Sequence, residues 1–134
     1  MPPDARDDEV AGWLVRARQD LRAVEADLDA VPPLLADAAF HCQQAVEKSL
    51  KALLALHDHV FRRTHDIGVL ALACLEHEPS LESLLRSSAP LTEYAWRFRY
   101  PGEVFEPERD EVDDALVVAR RVLAEVEEAV ANAC

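Results

Sequence analysis

An all-α fold, a helical bundle of four long or broken helices plus a short one, is predicted by three features of the 134-residue sequence. Ala, Leu, Glu and Arg recur throughout while Gly occurs only three times, so the composition is dominated by good helix formers. Apolar residues step by three and four along several long stretches. Pro residues cluster at a few places and punctuate those stretches. The length suits one domain spanning 1–134, long enough to bury a core and short for two.

The elements follow in order. Val10, Trp13, Leu14, Ala17, Leu21, Val24 and Leu28 mark a first helix from about residue 7 to 29. Pro32 and Pro33 close the connection, and a second helix runs from about 34 to 57 with Leu35, Cys42, Val46, Leu50 and Leu53 on its apolar side. After the loop DHVFRRTHD, Ile67, Leu70 and Leu75 predict a short third helix that stops near Pro79, with Asp66 at its start. Ser80 is a plausible N-cap for a further short helix with Leu81, Leu84 and Leu85. Pro90 restarts the chain after Ser88, a second cap candidate, into a segment carrying Tyr94 and Trp96. RYPGEVFEP reads as non-helical. A last helix from near Pro107 carries Val112, Leu116, Ala119, Leu123, Val126 and Val130 as a narrow seam, with acidic residues crowding its first turns.

The formal charge of -12 disfavours non-specific binding to phosphate backbones. That charge is uneven. Residues 1–39 carry four basic and nine acidic side chains, net -5; residues 103–134 carry three and ten, net -7; residues 40–102 carry seven of each. Any cationic surface must therefore come from the middle of the chain. Cys42, Cys74 and Cys134 are odd in number and far apart, which argues against a disulfide framework and for a reducing cytoplasm. The polar, acidic start is unlike a signal peptide, and no apolar run approaches the roughly 18 residues that span a bilayer. No membrane association is expected.

The second helix has an unusual polar side. At about 100° per residue, Gln43, Gln44, Glu47, Lys48 and Lys51 lie opposite the apolar set, with Phe40 among them and His41 at the edge. Glu47 and Lys51, spaced i, i+4, suit an ordinary surface ion pair. A solvated face is the plain reading. Two adjacent Gln, a His and an aromatic suit a recognition surface or a helix–helix seam better.

The pattern F-H-x-Q-Q-A-x-E-K-x-x-K-x-L-L over Phe40 to Leu54 resembles the signature helix of HEPN-domain proteins. T-H-D-I at 64 to 67 and R-Y-P-G-E at 99 to 103 resemble later motifs of that family, in order and at suitable separations. The resemblance implies an up-and-down bundle, a homodimer and nucleotide or RNA chemistry. Many members are ribonuclease toxins encoded beside a small nucleotidyltransferase; others are non-catalytic modules that bind nucleotides or partners. The ribonuclease branch uses an Arg followed, after four to six intervening residues, by His; Arg grips the phosphate and His moves the proton. None of His41, His57, His59, His65 and His77 follows an Arg at that spacing. A non-catalytic module is therefore expected, with no catalytic residue assigned.

Ligand binding is expected at His41, Gln44, Lys48 and Lys51 of the second helix and at Arg97, Arg99 and Tyr100 before the Pro-Gly turn. Arg offers bidentate contacts to phosphate, and Tyr can stack or donate. If the bundle brings that turn to the second helix, Lys48, Lys51, Arg97 and Arg99 would form a basic pocket. The alternative for the Arg residues is neutralisation of a helix C-terminus and pairing with Glu93 or Glu103. His57, Asp58, His59, His65 and Asp66 could approach a divalent metal, but no spacing fixes a tetrahedral set, so no metal and no cofactor is expected. The remaining readings are a ribonuclease with a non-standard set such as His41, His65 and Arg99, and a structural homodimer whose polar stripe is a subunit seam. Trp13 and Trp96 are expected in the core or at that interface.

Overall fold

The computed structural model describes residues 3–61, 63–97 and 106–133. Arg62, Arg99 and Tyr100, and the R-Y-P-G-E motif with them, lie outside the described residues. Among these residues every regular element is helical: α1 (Pro3–Asp29), α2 (Leu35–Leu56), α3 (Ile67–Leu75), α4 (Glu82–Ser88) and α5 (Arg109–Asn132). Two 3-10 segments, Pro79–Leu81 and Ala89–Ala95, flank α4. The bundle expected from composition and periodicity is the one that forms, with one leg broken into α3, α4 and the 3-10 segments.

α2 is the axis of the molecule. Leu50, Leu53, Leu54, Cys42 and Val46 are fully buried, and α1, α5 and α3 pack around them. Val10, Leu14, Ala17 and Val24 close the core from α1, while Val112, Ala119, Val122 and Val126 close it from α5. The α5 seam is thus consumed by the chain's own core. Its spacing therefore gives no evidence for a face toward a second subunit.

Several boundaries differ from the sequence reading, for local reasons. α1 begins at Pro3, a turn earlier than expected, because Pro is tolerated at a first helical position and Asp4 favours the dipole. Its apolar stripe begins only at Val10, so periodicity misses the polar first turns. Ser80 caps nothing: it sits inside the 3-10 segment and α4 starts after Leu81 without a side-chain cap. Ser88 does not cap either; its hydroxyl donates back to the Leu85 carbonyl at 2.7 Å. Pro90 falls in a 3-10 segment rather than an α-helix. Asp66 does cap α3, accepting from the Val69 amide at 3.3 Å.

α2 ends in a double turn. The His59 amide donates to the Leu54 carbonyl at 2.9 Å and the Asp58 amide to Ala55 at 3.1 Å, with Asp58 left-handed at φ 54°. This is a Schellman closure with Asp where Gly is usual. It reverses the chain and delivers residues 59–61 and 63–65 alongside α1 and α2. No helix among the described residues is long and apolar enough to cross a membrane.

Candidate functional site

Much of the polar side of α2 is not solvated. Gln43 is fully buried, and the side chains of Glu47 and Lys51 are 3% and 8% exposed. The Glu47–Lys51 pair, 3.0 Å apart, is therefore an interior ion pair and not the surface pair expected from its spacing. Burying it demands further partners, and the fold supplies them. His65 Nδ1–H donates to Glu47 Oε1 at 2.7 Å, and Gln43 Nε2 donates to that same oxygen at 3.2 Å and to the His65 carbonyl at 3.1 Å. Gln44 donates to Gln43 Oε1 at 2.6 Å. Lys51 also sits 5.2 Å from the centre of the Trp13 ring of α1.

The T-H-D-I stretch has a distinct task at each position. Thr64 accepts from the Asp66 amide at 3.0 Å, His65 reaches back to Glu47, Asp66 caps α3, and Ile67 is fully buried. The Ile67 amide is taken by the Thr92 hydroxyl at 3.0 Å, tying α3 to the second 3-10 segment. The order this gives residues 64–67 comes mainly from contacts remote in sequence.

Beside this network lies a cleft of about 950 Å³. Trp13 of α1, Glu47 and Lys51 of α2, and Phe61, Arg63 and His65 of the connection are among its walls. Trp13 and Phe61 meet at 6.4 Å with their planes inclined by 58°. The indole Nε1 is buried without a hydrogen-bond partner among the described residues. His65 is 71% exposed, so its Nδ1 is anchored on a buried carboxylate while the ring remains accessible. In the neutral tautomer this leaves the lone pair on Nε2. Asp58 and Glu9 add negative charge to the walls, but Asp58 faces Arg6 at 3.4 Å. Among the described residues no carboxylate pairs with Arg63.

Of the residues expected to bind a ligand, Lys51 lines this cleft. Gln44 belongs to the hydrogen-bond network beneath it. His41 and Lys48 converge instead on Asp20 of α1, at 2.9 and 2.6 Å, each on a different carboxylate oxygen. His41 Nε2 also lies 3.4 Å from Asp37. Arg97 pairs with Glu93 and lies 3.7 Å from Glu111 of α5, beside the Tyr94 hydroxyl that donates to Glu111 at 2.6 Å. Among the described residues Lys48 pairs with Asp20, Lys51 with Glu47 and Arg97 with Glu93 and Glu111, and neither Lys48 nor Arg97 is among the residues that line the cleft. The sequence reading missed Trp13, Phe61 and Arg63 as neighbours of Lys51. No spacing rule could have joined them, since Trp13 arrives by the packing of α1 on α2 and Phe61 and Arg63 through the turn at Asp58.

The other expected groups are placed as follows. Cys42 and Cys74 are buried and free, their thiols each pushed up to about 12 by desolvation. Trp13 is half-buried against the core, whereas Trp96 is 48% exposed. Tyr94 is buried, and burial followed by its bond to Glu111 raises its hydroxyl pKa.

Among curated proteins no match to the chain was found. The crystal structure of TT1696 from Thermus thermophilus is similar to it at 34% identity and a TM-score of 0.73, over 89% of this chain and 96% of that one. The family model described as HEPN domain matches residues 10–129, a span that runs from the first buried residue of α1 almost to the end of α5 and holds both the α2 network and the T-H-D-I strap. The chain belongs to the HEPN family.

Proposed function

We propose that this protein is a non-catalytic HEPN module whose cleft between α1, α2 and the 58–65 connection takes a phosphate-bearing ligand, a nucleotide or short RNA. The observation that carries this reading is the cleft itself: Lys51, Arg63 and the exposed His65 stand on walls that also hold the Trp13–Phe61 pair. Its volume falls in the range of about 300–1,000 Å³ typical of small-molecule sites. Arg and Lys suit phosphate, and the aromatic pair suits a base. The missing Arg–His spacing argues for binding without cleavage.

The expected site residues outside the cleft remain part of the proposal in a narrower sense. His41 and Lys48 fix α1 to α2 through Asp20, while Arg97, Arg99 and Tyr100 remain proposed contacts for a nucleotide or short RNA, or for a minimal nucleotidyltransferase docked there. A homodimer is proposed from family membership, and the exposed Val69 and Leu72 on α3 support it. Light scattering at micromolar concentration should give twice the chain mass; a monomer there counts against the dimer.

The test is the melting temperature with ATP, GTP or a short RNA, in the wild type and in Arg63→Ala. A ligand-dependent rise that Arg63→Ala abolishes supports the cleft. A rise that survives it and is lost in Lys48→Ala and Arg99→Ala moves the ligand to those residues. No shift with any of the three leaves protein docking as the better reading.

One observation favours the ribonuclease alternative. His65 is exposed, held at Nδ1 by Glu47, and shares its cleft with Arg63 and Lys51, which is how a general base beside a phosphate is arranged. RNA cleavage by purified protein that His65→Ala abolishes, with folding intact, would establish it.

A further inference from the structure

A histidine cluster lies where the turn after α2 meets the end of α3. His59 Nδ1 and His77 Nε2 stand 2.9 Å apart, and Glu76 Oε2 is 3.9 Å from His59 Nδ1. One ligand atom from each of these residues falls within 4.8 Å of the other two. The His57 ring stacks on His77 at 4.4 Å and 7°, and its Nε2 is buried with no hydrogen-bond partner among the described residues, 3.6 Å from Glu78 Oε1. Three imidazoles and two carboxylates are thus gathered from two separate segments.

Such a grouping is poor at satisfying itself. The His59–His77 contact places one proton between two nitrogens, so at least one of the two rings must offer a lone pair there. A divalent ion with bonds of about 2.0–2.1 Å to imidazole spaces its ligand atoms roughly 2.9–3.4 Å apart. The two ring nitrogens already stand at that spacing. The Glu76 side chain, long and exposed, needs only a small rotation to follow.

The geometry points to a binding site for a first-row divalent cation of the zinc type, held by His59 Nδ1, His77 Nε2 and the Glu76 carboxylate, with its remaining positions open to water. Two imidazoles and one carboxylate select such ions over Ca²⁺ or Mg²⁺, which prefer oxygen ligands. His59 lines the cleft and directly follows the left-handed Asp58, so the ion pins the end of α2 to the end of α3 and stiffens one wall of the cleft. The site was illegible in sequence because Glu76 and His77 lie beyond the loop that carries the other histidines.

The test uses the full chain, dialysed against a chelator and titrated with Zn²⁺ by calorimetry, with Co²⁺ absorption reporting the ligand set. One ion per chain and a raised melting temperature are expected. Affinity should fall at least about tenfold in His59→Ala, His77→Ala and Glu76→Gln. Glu76→Gln alters an exposed side chain, so its result stands even where an alanine variant unfolds. No binding at tens of micromolar Zn²⁺ overturns the site. So does binding unchanged in all three variants, or binding lost only in His41→Ala, which would put the ion on the second acidic–histidine group, Asp27, Asp37 and His41.

Discussion

His65 Nδ1 stands 2.7 Å from Glu47 Oε1, so an imidazole that is 71% exposed is fixed to a carboxylate that is 3% exposed. The contact joins α2 to the strap before α3 across 18 residues of sequence. It makes one unit of two motifs: a buried acid balanced by Lys51 from the same helix, and a ring held in the mouth of a cleft. The polar side of α2 is therefore an internal fastening surface as much as an outward one.

Removing the centre of that unit should be costly. Glu47→Ala leaves Lys51 buried without its partner, and breaking a buried pair costs about 3–5 kcal/mol. Against a total of about 5–15 kcal/mol for a domain, that is enough to bring it close to unfolding. Replacing both residues, Glu47→Met with Lys51→Met, removes the charge problem and should recover most of the loss. Urea denaturation followed by circular dichroism checks both. A loss below about 1 kcal/mol for Glu47→Ala would show that water reaches the pair.

A second prediction concerns pH. The Asp27 carboxyl is pushed up to about 6 from 3.8, first by desolvation, then by its hydrogen bond to Asp37 and the charge there, with His41 opposing. A carboxyl that holds its proton more tightly when folded gives the native state the excess proton between those two values, so this group's contribution falls as pH rises through them. Asp27→Asn keeps a donor toward Asp37 and sheds the charge. It should stabilise the protein by about 1–2 kcal/mol above pH 7 and by nothing below pH 4. Thermal melts across that range read the difference, and a constant offset at all pH values would assign the effect to packing.

The legibility of this chain divides at the side of α2. Its apolar side was readable, because Cys42, Val46, Leu50 and Leu53 obey helical spacing and burial follows from that alone. Glu47 and Lys51 obey the same spacing, yet nothing local distinguishes a solvated pair from a buried one. What buries them is Trp13 of α1 and the return of His65 over Glu47, and the latter depends on the turn at Asp58. The cleft and the histidine cluster depend on the same turn, so both were opaque. The α5 seam was readable in the same way: its spacing marks a face, and the core takes that face.

Thiol chemistry offers a third check. Cys42 and Cys74 are buried, and desolvation holds each thiol near 12. The thiolate is the reactive form, and at pH 8 it is then about one part in ten thousand. In a Cys134→Ser variant, a disulfide reagent should modify nothing within minutes at pH 8 and two thiols per chain in urea. Rapid modification of either cysteine in buffer would reveal opening of α2 from its neighbours on that timescale.

The turn at Asp58 can itself be tested. A residue other than Gly at φ 54° carries a steric penalty, which Asp tolerates better than most, and the position closes a Schellman pair of hydrogen bonds from residues 58 and 59. Asp58→Gly removes the penalty at some cost in unfolded-chain entropy and loses the 3.4 Å contact with Arg6, which is partly exposed and worth little. The net expectation is a gain of about 0.5 kcal/mol, read as a small rise in denaturation midpoint. Asp58→Val should lose at least about 1 kcal/mol, because a β-branched side chain is poorly tolerated there. Since His59 and the strap to Glu47 both follow this residue, Asp58→Val should also loosen the cleft, raising hydrogen exchange at 59–66 more than in α5. Equal protection in both regions would mean that Glu47 and Gln43 hold the strap without help from the turn.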